Sequence, residues 1–157
     1  MSKIRSGDRI PEVVLPDQNG QQINLGDIWS SKTLVLFFYP KDDTPGCTIE
    51  ACTFRDNYDA FLHAGANVVG ISADTVSSHR HFALKYDLPF TLLSDQSGEI
   101  RSLFGVSKSL GLFPSRITFI IDREGVVRHI FNSQFRIKKH ISEALRIIEK
   151  LNKPHQM

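Results

Sequence analysis

The most apolar run in the chain is Leu34-Val-Leu-Phe-Phe-Tyr39, with no polar position in it. A continuous run of this length predicts a strand covered on both faces. Ala66-Asn-Val-Val-Gly-Ile-Ser72 reads as a second buried strand, and Phe90 to Leu93 as a short third one. Upstream, Val13, Val14 and Leu15 precede Asp17-Gln-Asn-Gly20, and Asn-Gly signals a tight turn, so residues 12–24 predict a small hairpin. Leu25 to Trp29 predicts a helical turn, with Trp29 as a packing residue.

Helical spacing takes over between the strands. Phe54, Tyr58, Phe61 and Leu62 share one face of a predicted helix over Pro45 to Ala64, which Gly65 ends. His79, Phe82, Ala83 and Tyr86 stand at i, i+3, i+4 and i+7 of a second helix, capped by Asp74 or Thr75 and closed by Pro89. Gly98 to Phe104 is a short helix. Arg116 to Ile121 and Val126 to Phe131 form a hairpin across Asp122-Arg-Glu-Gly125. A last helix, Ile137 to Leu151, places Ile137, Ile141, Ala144, Leu145, Ile148 and Leu151 on one stripe. Strands alternating with helices predict an α/β sheet with helices on both faces.

Composition adds little to this. A chain of 157 residues, 41% hydrophobic and 23% charged, fits one soluble globular domain with a proper core. A net charge of +2 gives no reason to expect nucleic acid or a membrane surface as partner. The start, Met1-Ser-Lys-Ile-Arg-Ser-Gly7, has no apolar stretch of the secretory kind, and no apolar run approaches a membrane span. The six histidines show no ligand spacing, and no metal site or phosphate-binding glycine loop is expected.

The chemistry concentrates in Pro40-Lys-Asp-Asp-Thr-Pro-Gly-Cys47-Thr-Ile-Glu-Ala-Cys52, which carries both cysteines. Pro45 and Gly46 punctuate a turn, and Asp42, Asp43 or Thr44 can cap the helix that follows. Cys47 then lies in the first helical turn, where unpaired N–H groups and the positive end of the dipole stabilise a thiolate nucleophile. Cys52 follows five positions on. In a regular helix this means a rise of about 7.5 Å, a rotation of roughly 140° and a Cα separation of about 8–9 Å. A disulfide rarely tolerates more than about 7 Å. The two can bond only if the first turn unwinds. A packing role for Cys52 inside the helix is the competing reading.

Pro40, Thr44 and Cys47 at the spacing P-x-x-x-T-x-x-C resemble the active-site pattern of the peroxiredoxins. With the second cysteine at Cys52 the stretch resembles the peroxiredoxin Q (bacterioferritin comigratory protein) subfamily. Arg116-Ile-Thr-Phe-Ile-Ile-Asp122 is similar to that family's active-site arginine strand. Phe131-Asn-Ser-Gln134 and the last helix resemble its plant and cyanobacterial branch. The likeness runs from about Gly7 to Leu151.

The resemblance implies a thioredoxin-like fold with a central mixed sheet. It implies a thiol peroxidase acting on hydrogen peroxide and organic hydroperoxides through a Cys47 sulfenic acid and a Cys47–Cys52 disulfide. A thioredoxin or similar dithiol protein would then reduce that disulfide, with no metal, haem or flavin required. Arg116 would reach Cys47 and bind the peroxide oxygens, Thr44 would cap the helix or bond the sulfur or peroxide, and Pro40 would shield the site. Glu50 would hold Arg116, although a solvated helix face explains Glu50 equally well. Ser107 to Pro114 would wall the pocket or form an ordinary surface loop. A monomer is expected, in the cytoplasm, or in the chloroplast for a processed plant protein. A general thiol–disulfide oxidoreductase and a non-catalytic redox switch are the rival readings.

Overall fold

The computed structural model describes residues 4–106, 116–133 and 136–152, and the backbone alone of residues 108, 109, 113 and 114. The elements in order are β1 (Val14–Pro16), β2 (Gln22–Asn24), α1 (Leu25–Trp29), β3 (Thr33–Phe38), α2 (Pro45–Asp56), α3 (Tyr58–His63) and β4 (Ala66–Ser72). Then come α4 (Val76–Tyr86), β5 (Thr91–Ser94), α5 (Glu99–Leu103), β6 (Lys108–Ser109), β7 (Phe113–Pro114), β8 (Ile117–Ile121), β9 (Val127–Asn132) and α6 (Ile137–Asn152).

The central sheet runs β5-β4-β3-β8-β9, with β3, β4 and β5 parallel and β8 and β9 antiparallel to their neighbours. β1 and β2 form the N-terminal hairpin. Every residue of β3 is buried, as its apolar run requires of a central strand. Its side chains alternate between two cores. Val35 and Phe37, with Tyr39 beyond the strand end, face α2, α3, α4 and α6, whereas Leu34, Leu36 and Phe38 face α1, α5 and the N-terminal segment. This is the sheet covered on both faces that the alternation of elements predicts, and it is mixed, as the resemblance implies.

β3 also fixes the aromatic bed beneath α2. Phe37 stacks on Phe54 at 4.5 Å and meets Phe90 edge-on at 5.8 Å. Gly70, opposite Phe37 in the register, makes room for it. A Cβ there would come within 2.7 Å of Phe37 Cζ and 2.9 Å of Leu92 Cδ2. Gly70→Ala is therefore expected to destabilise the fold by about 1–3 kcal/mol through overpacking. Urea unfolding measures it, and an unchanged midpoint would show that the sheet yields freely there.

Four expectations need correction. The helix over Pro45 to Ala64 is two helices, broken at Asn57, whose φ of −107° and ψ of 7° leave the helical region. The Asn57 side chain donates to the Thr53 carbonyl at 2.8 Å, competing with the helical ladder. Phe54 and Phe61 still share the core, both fully buried. Thr44 does occupy the N-cap position of α2, as expected, but none of Asp42, Asp43 and Thr44 caps the helix through its side chain. α4 is capped by Thr75 but ends before Pro89, through Asp87 in the left-handed region at φ 51°. Leu151, placed on the buried stripe, is 41% exposed because α6 runs past the edge of the core.

Candidate active site

α2 begins just beyond the C-terminal end of β3, between β4 and β8, a position where open α/β sheets place ligands. Pro45 occupies the first turn, where its missing N–H costs nothing, and the Thr48 N–H closes the turn on the Thr44 carbonyl at 2.8 Å. Cys47 therefore sits on the first turn, 1% exposed, and Cys52 on the same unbroken helix, half-buried. Both thiols are free, and burial pushes the Cys52 thiol up.

The loop leading into α2 is braced from one side. Asp42 is buried and accepts from the Tyr39 hydroxyl at 2.5 Å and from Ser78 Oγ at 2.8 Å. It also meets His79 Nδ1 at 2.7 Å, while His79 Nε2 meets the Leu93 carbonyl at 2.9 Å. Asp43, in the left-handed region at φ 59°, accepts from Lys85 Nζ and the Tyr86 hydroxyl, each at 2.9 Å. Both aspartates thus tie the loop to α4. Asp42, Asp74 and His79 bring ligand atoms within 4.8 Å of one another, but these atoms are already engaged, Asp74 Oδ2 with the Asp42 N–H at 2.8 Å and Ser72 Oγ at 2.6 Å. The geometry is that of a brace.

Arg116 arrives from the other side, immediately before β8. It is 5% exposed, and its Nη2 points at Cys47 Sγ from 3.6 Å while Nη1 donates to Glu50 Oε1 at 2.6 Å. Close approach is possible because residue 46 is glycine. A Cβ on Gly46 would stand 3.1 Å from Arg116 Nη2 and 3.2 Å from Ile137 Cδ1. Burial works against the arginine's charge, but Glu50 and Cys47 outweigh it and hold the group above its ordinary value. Glu50 is fully buried, and burial, only partly offset by Arg116, pushes its carboxyl up to about 7. The solvated-face reading of Glu50 is thus set aside.

The other expected residues are Pro40 and Thr44. Pro40 is half-buried at the end of β3. Thr44 is half-buried too, and its hydroxyl donates to the Lys41 carbonyl at 2.8 Å, which leaves its lone pairs facing outward from that bond. The side chains of Ser107 to Pro114, and Gln134 of the Phe131-to-Gln134 motif, lie outside the described residues.

The sequence reading missed His140 and Thr118. His140 is fully buried on α6 and meets Thr118 Oγ1 through Nδ1 and the Ser133 carbonyl through Nε2, both at 2.7 Å. Its Nδ1 stands 3.8 Å from Glu50 Oε2. Burial, with Arg116 adding to it, takes the imidazole down to about 4. The signal was present: His140 falls three residues after Ile137 and four before Ala144, on the apolar stripe.

Comparison with known proteins places this geometry in context. Residues 6–130 match the AhpC/TSA family. The chain is 48% identical over 150 residues to the chloroplastic peroxiredoxin Q of Triticum aestivum, covering 95% of this chain and 69% of that protein. It is equally 48% identical to the chloroplastic peroxiredoxin Q of Populus jackii, over 96% of this chain and 70% of that one. Among solved structures, peroxidoxin BcpB from Mycobacterium tuberculosis superposes with a TM-score of 0.89 at 37% identity, covering 96% of this chain and 99% of that one. A cysteine-to-serine mutant of PrxQ from Xylella fastidiosa superposes with a TM-score of 0.89 at 27% identity, covering 98% and 100%.

Proposed function

Because the chain belongs to the AhpC/TSA family, and within it to the peroxiredoxin Q group, it is a thiol-dependent peroxidase, and we propose that Cys47 is the thiol that meets the peroxide. The observation that carries this is Arg116 Nη2, 3.6 Å from Cys47 Sγ and anchored on Glu50. A fixed cation beside a sulfur at a helix start favours the thiolate, and its fork suits two peroxide oxygens.

The thiolate attacks one peroxide oxygen and the O–O bond breaks. The sulfur keeps the attacked oxygen as a sulfenic acid, and the other oxygen departs as an alkoxide or hydroxide that takes up a proton. Arg116 and the free N–H groups of the first turn of α2 offset the charge on the departing oxygen. The Thr44 oxygen and Pro40 define the mouth of the site, the first as a bonding partner for peroxide and the second as a shield from water.

Cys52 is the proposed resolving thiol. On the intact helix the two Cα atoms are about 8–9 Å apart, too far for a disulfide, so the start of α2 unwinds first. The Cys52 sulfur then displaces water from the sulfenic acid. A thioredoxin-type dithiol protein reduces the resulting disulfide by exchange. Among the described residues the exposed large apolar side chains, Val14, Ile49, Leu84, Leu103 and Leu151, are scattered over separate elements, which supports a monomer. Among the described residues no helix is long and apolar enough to cross a membrane. The cytoplasm is the proposed compartment, or the chloroplast, as in the plant relatives, if the source is a plant.

Steady-state peroxide consumption with thioredoxin and its reductase tests the cycle. Cys52→Ser is expected to complete one turnover, halt as a sulfenic acid that a dimedone probe captures, and fall to background with thioredoxin. Full thioredoxin-linked turnover in Cys52→Ser would remove Cys52 from the cycle.

A further inference from the structure

Glu50 presents two unlike oxygens. Oε1 accepts from Arg116, whereas Oε2 is buried and has no hydrogen-bond partner among the described residues. A dry, unpaired carboxylate oxygen is costly. His140 Nδ1 stands 3.8 Å from it, on the facing helix.

The state of that nitrogen follows from its neighbours. The Ser133 carbonyl can only accept, so His140 Nε2 carries a hydrogen. A neutral ring then has a lone pair on Nδ1, and the Thr118 hydroxyl donates to it. Glu50 Oε2 therefore stands 3.8 Å from a nitrogen that carries no hydrogen and whose lone pair the Thr118 hydroxyl already uses. As a carboxylate it gains no donor there, and as a carboxylic acid its O–H competes with Thr118 for that lone pair.

We propose that Glu50 and His140 form a buried proton seat behind Arg116, making His140 a positioning residue that sets how Arg116 is shared between Glu50 and Cys47. The charge count supports this. Among the described residues, the titratable or charged groups of the cluster are Cys47 and Glu50 on α2, Arg116 before β8 and His140 on α6. Arg116 supplies one positive charge, and a buried cluster favours one negative charge against it. That charge belongs either to the Glu50 carboxylate, with Cys47 as a thiol, or to the Cys47 thiolate, with the seat protonated. A carboxyl pushed up to about 7 and an imidazole taken down to about 4 agree with a folded pair that keeps its proton on the carboxyl.

The inference rests on Cys47 being the peroxide-reactive thiol. Its test is the pH dependence, from pH 5 to 9, of peroxide reduction by the pre-reduced enzyme in a single turnover. Rising pH empties the seat, the Glu50 carboxylate draws Arg116 from the sulfur, and the rate falls along an alkaline limb.

His140→Gln keeps a donor for the Ser133 carbonyl and deletes the Nδ1 acceptor. Its limb is expected to move to lower pH by about half a unit or more. Thr118→Val frees the Nδ1 lone pair for the Glu50 O–H, and its limb is expected to move to higher pH. With Glu50→Gln in place, neither change moves the profile. A limb that stays put while the rate drops equally at every pH, or two shifts in the same direction, would overturn the proposal. Retained reduction in Cys47→Ser would instead sink the underlying assignment, a result none of the other variants could mimic.

Discussion

Cys47→Ser is expected to abolish peroxide reduction, lowering the rate at least on the order of 10³-fold. Serine has nearly the shape of cysteine and retains the helix start, the Arg116 contact and the brace at Asp42. What it lacks is an ionisable sulfur, and the thiolate is the nucleophile. A hydroxyl at the same place stays protonated even beside Arg116. The check is direct consumption of hydrogen peroxide by the pre-reduced variant, with circular dichroism confirming the fold. Because Cys47 is 1% exposed and, among the described residues, its sulfur bonds with the Arg116 side chain alone, the melting temperature should change little. Wild-type activity in this variant would move the chemistry away from the whole constellation.

Arg116→Ala carries the second large effect, and it acts on both rate and stability. Loss of a donor aimed at developing charge typically lowers the rate by about 10²–10³-fold. The stability cost depends on pH, because the variant leaves Glu50 alone in the core. Breaking a buried pair costs about 3–5 kcal/mol when the remaining charge cannot be neutralised. Glu50 can neutralise itself by taking a proton.

Its carboxyl is already pushed up to about 7 from an ordinary 4.5, and Arg116 is the group that restrains this rise. A carboxyl raised in the folded state favours folding at pH below its unfolded value, and that contribution is lost as pH climbs through the folded value. The deficit of Arg116→Ala should therefore be small near pH 5 and grow towards pH 8. Urea unfolding at both pH values measures it. An equal deficit at the two would contradict the burial argument. Arg116→Lys keeps the charge but not the fork, and should fall between wild type and Ala in rate.

Much of this arrangement is legible in the linear sequence, for definable reasons. The six-residue apolar run forces β3 into the middle of the sheet, and the Pro-Gly turn after it places Cys47 at a helix start. Glu50 follows Cys47 by three residues, so it shares a helix face with it and lies within reach of whatever approaches the sulfur. These are local facts, and local spacing carries them.

The misreadings have the opposite character. Asn57 breaks a helix whose apolar face continues unbroken, because one side-chain amide captures the Thr53 carbonyl, and periodicity does not register that competition. Asp42 looks like a helix cap, but Tyr39, Ser78 and His79 claim it first. His140 stands on an apolar stripe whose spacing reports burial only. Its partners Thr118 and Glu50 come from a different strand and a different helix, so only the folded chain brings them together.

The break at Asn57 also bears on the oxidised enzyme. α2 opens without a side-chain cap, a device whose absence typically makes a helix start about 1 kcal/mol easier to lose. Near its other end Phe54 is pegged against Phe37, and beyond Asn57 a separate helix begins. Fraying that starts at Pro45 can release both sulfurs, yet it meets a stop at Phe54 and has no continuous ladder through which to reach Phe61. Under the proposed Cys47–Cys52 cycle the chain thus has a fuse of fixed length: the first turn of α2 would melt and re-form with each peroxide while the aromatic bed beneath it stays packed.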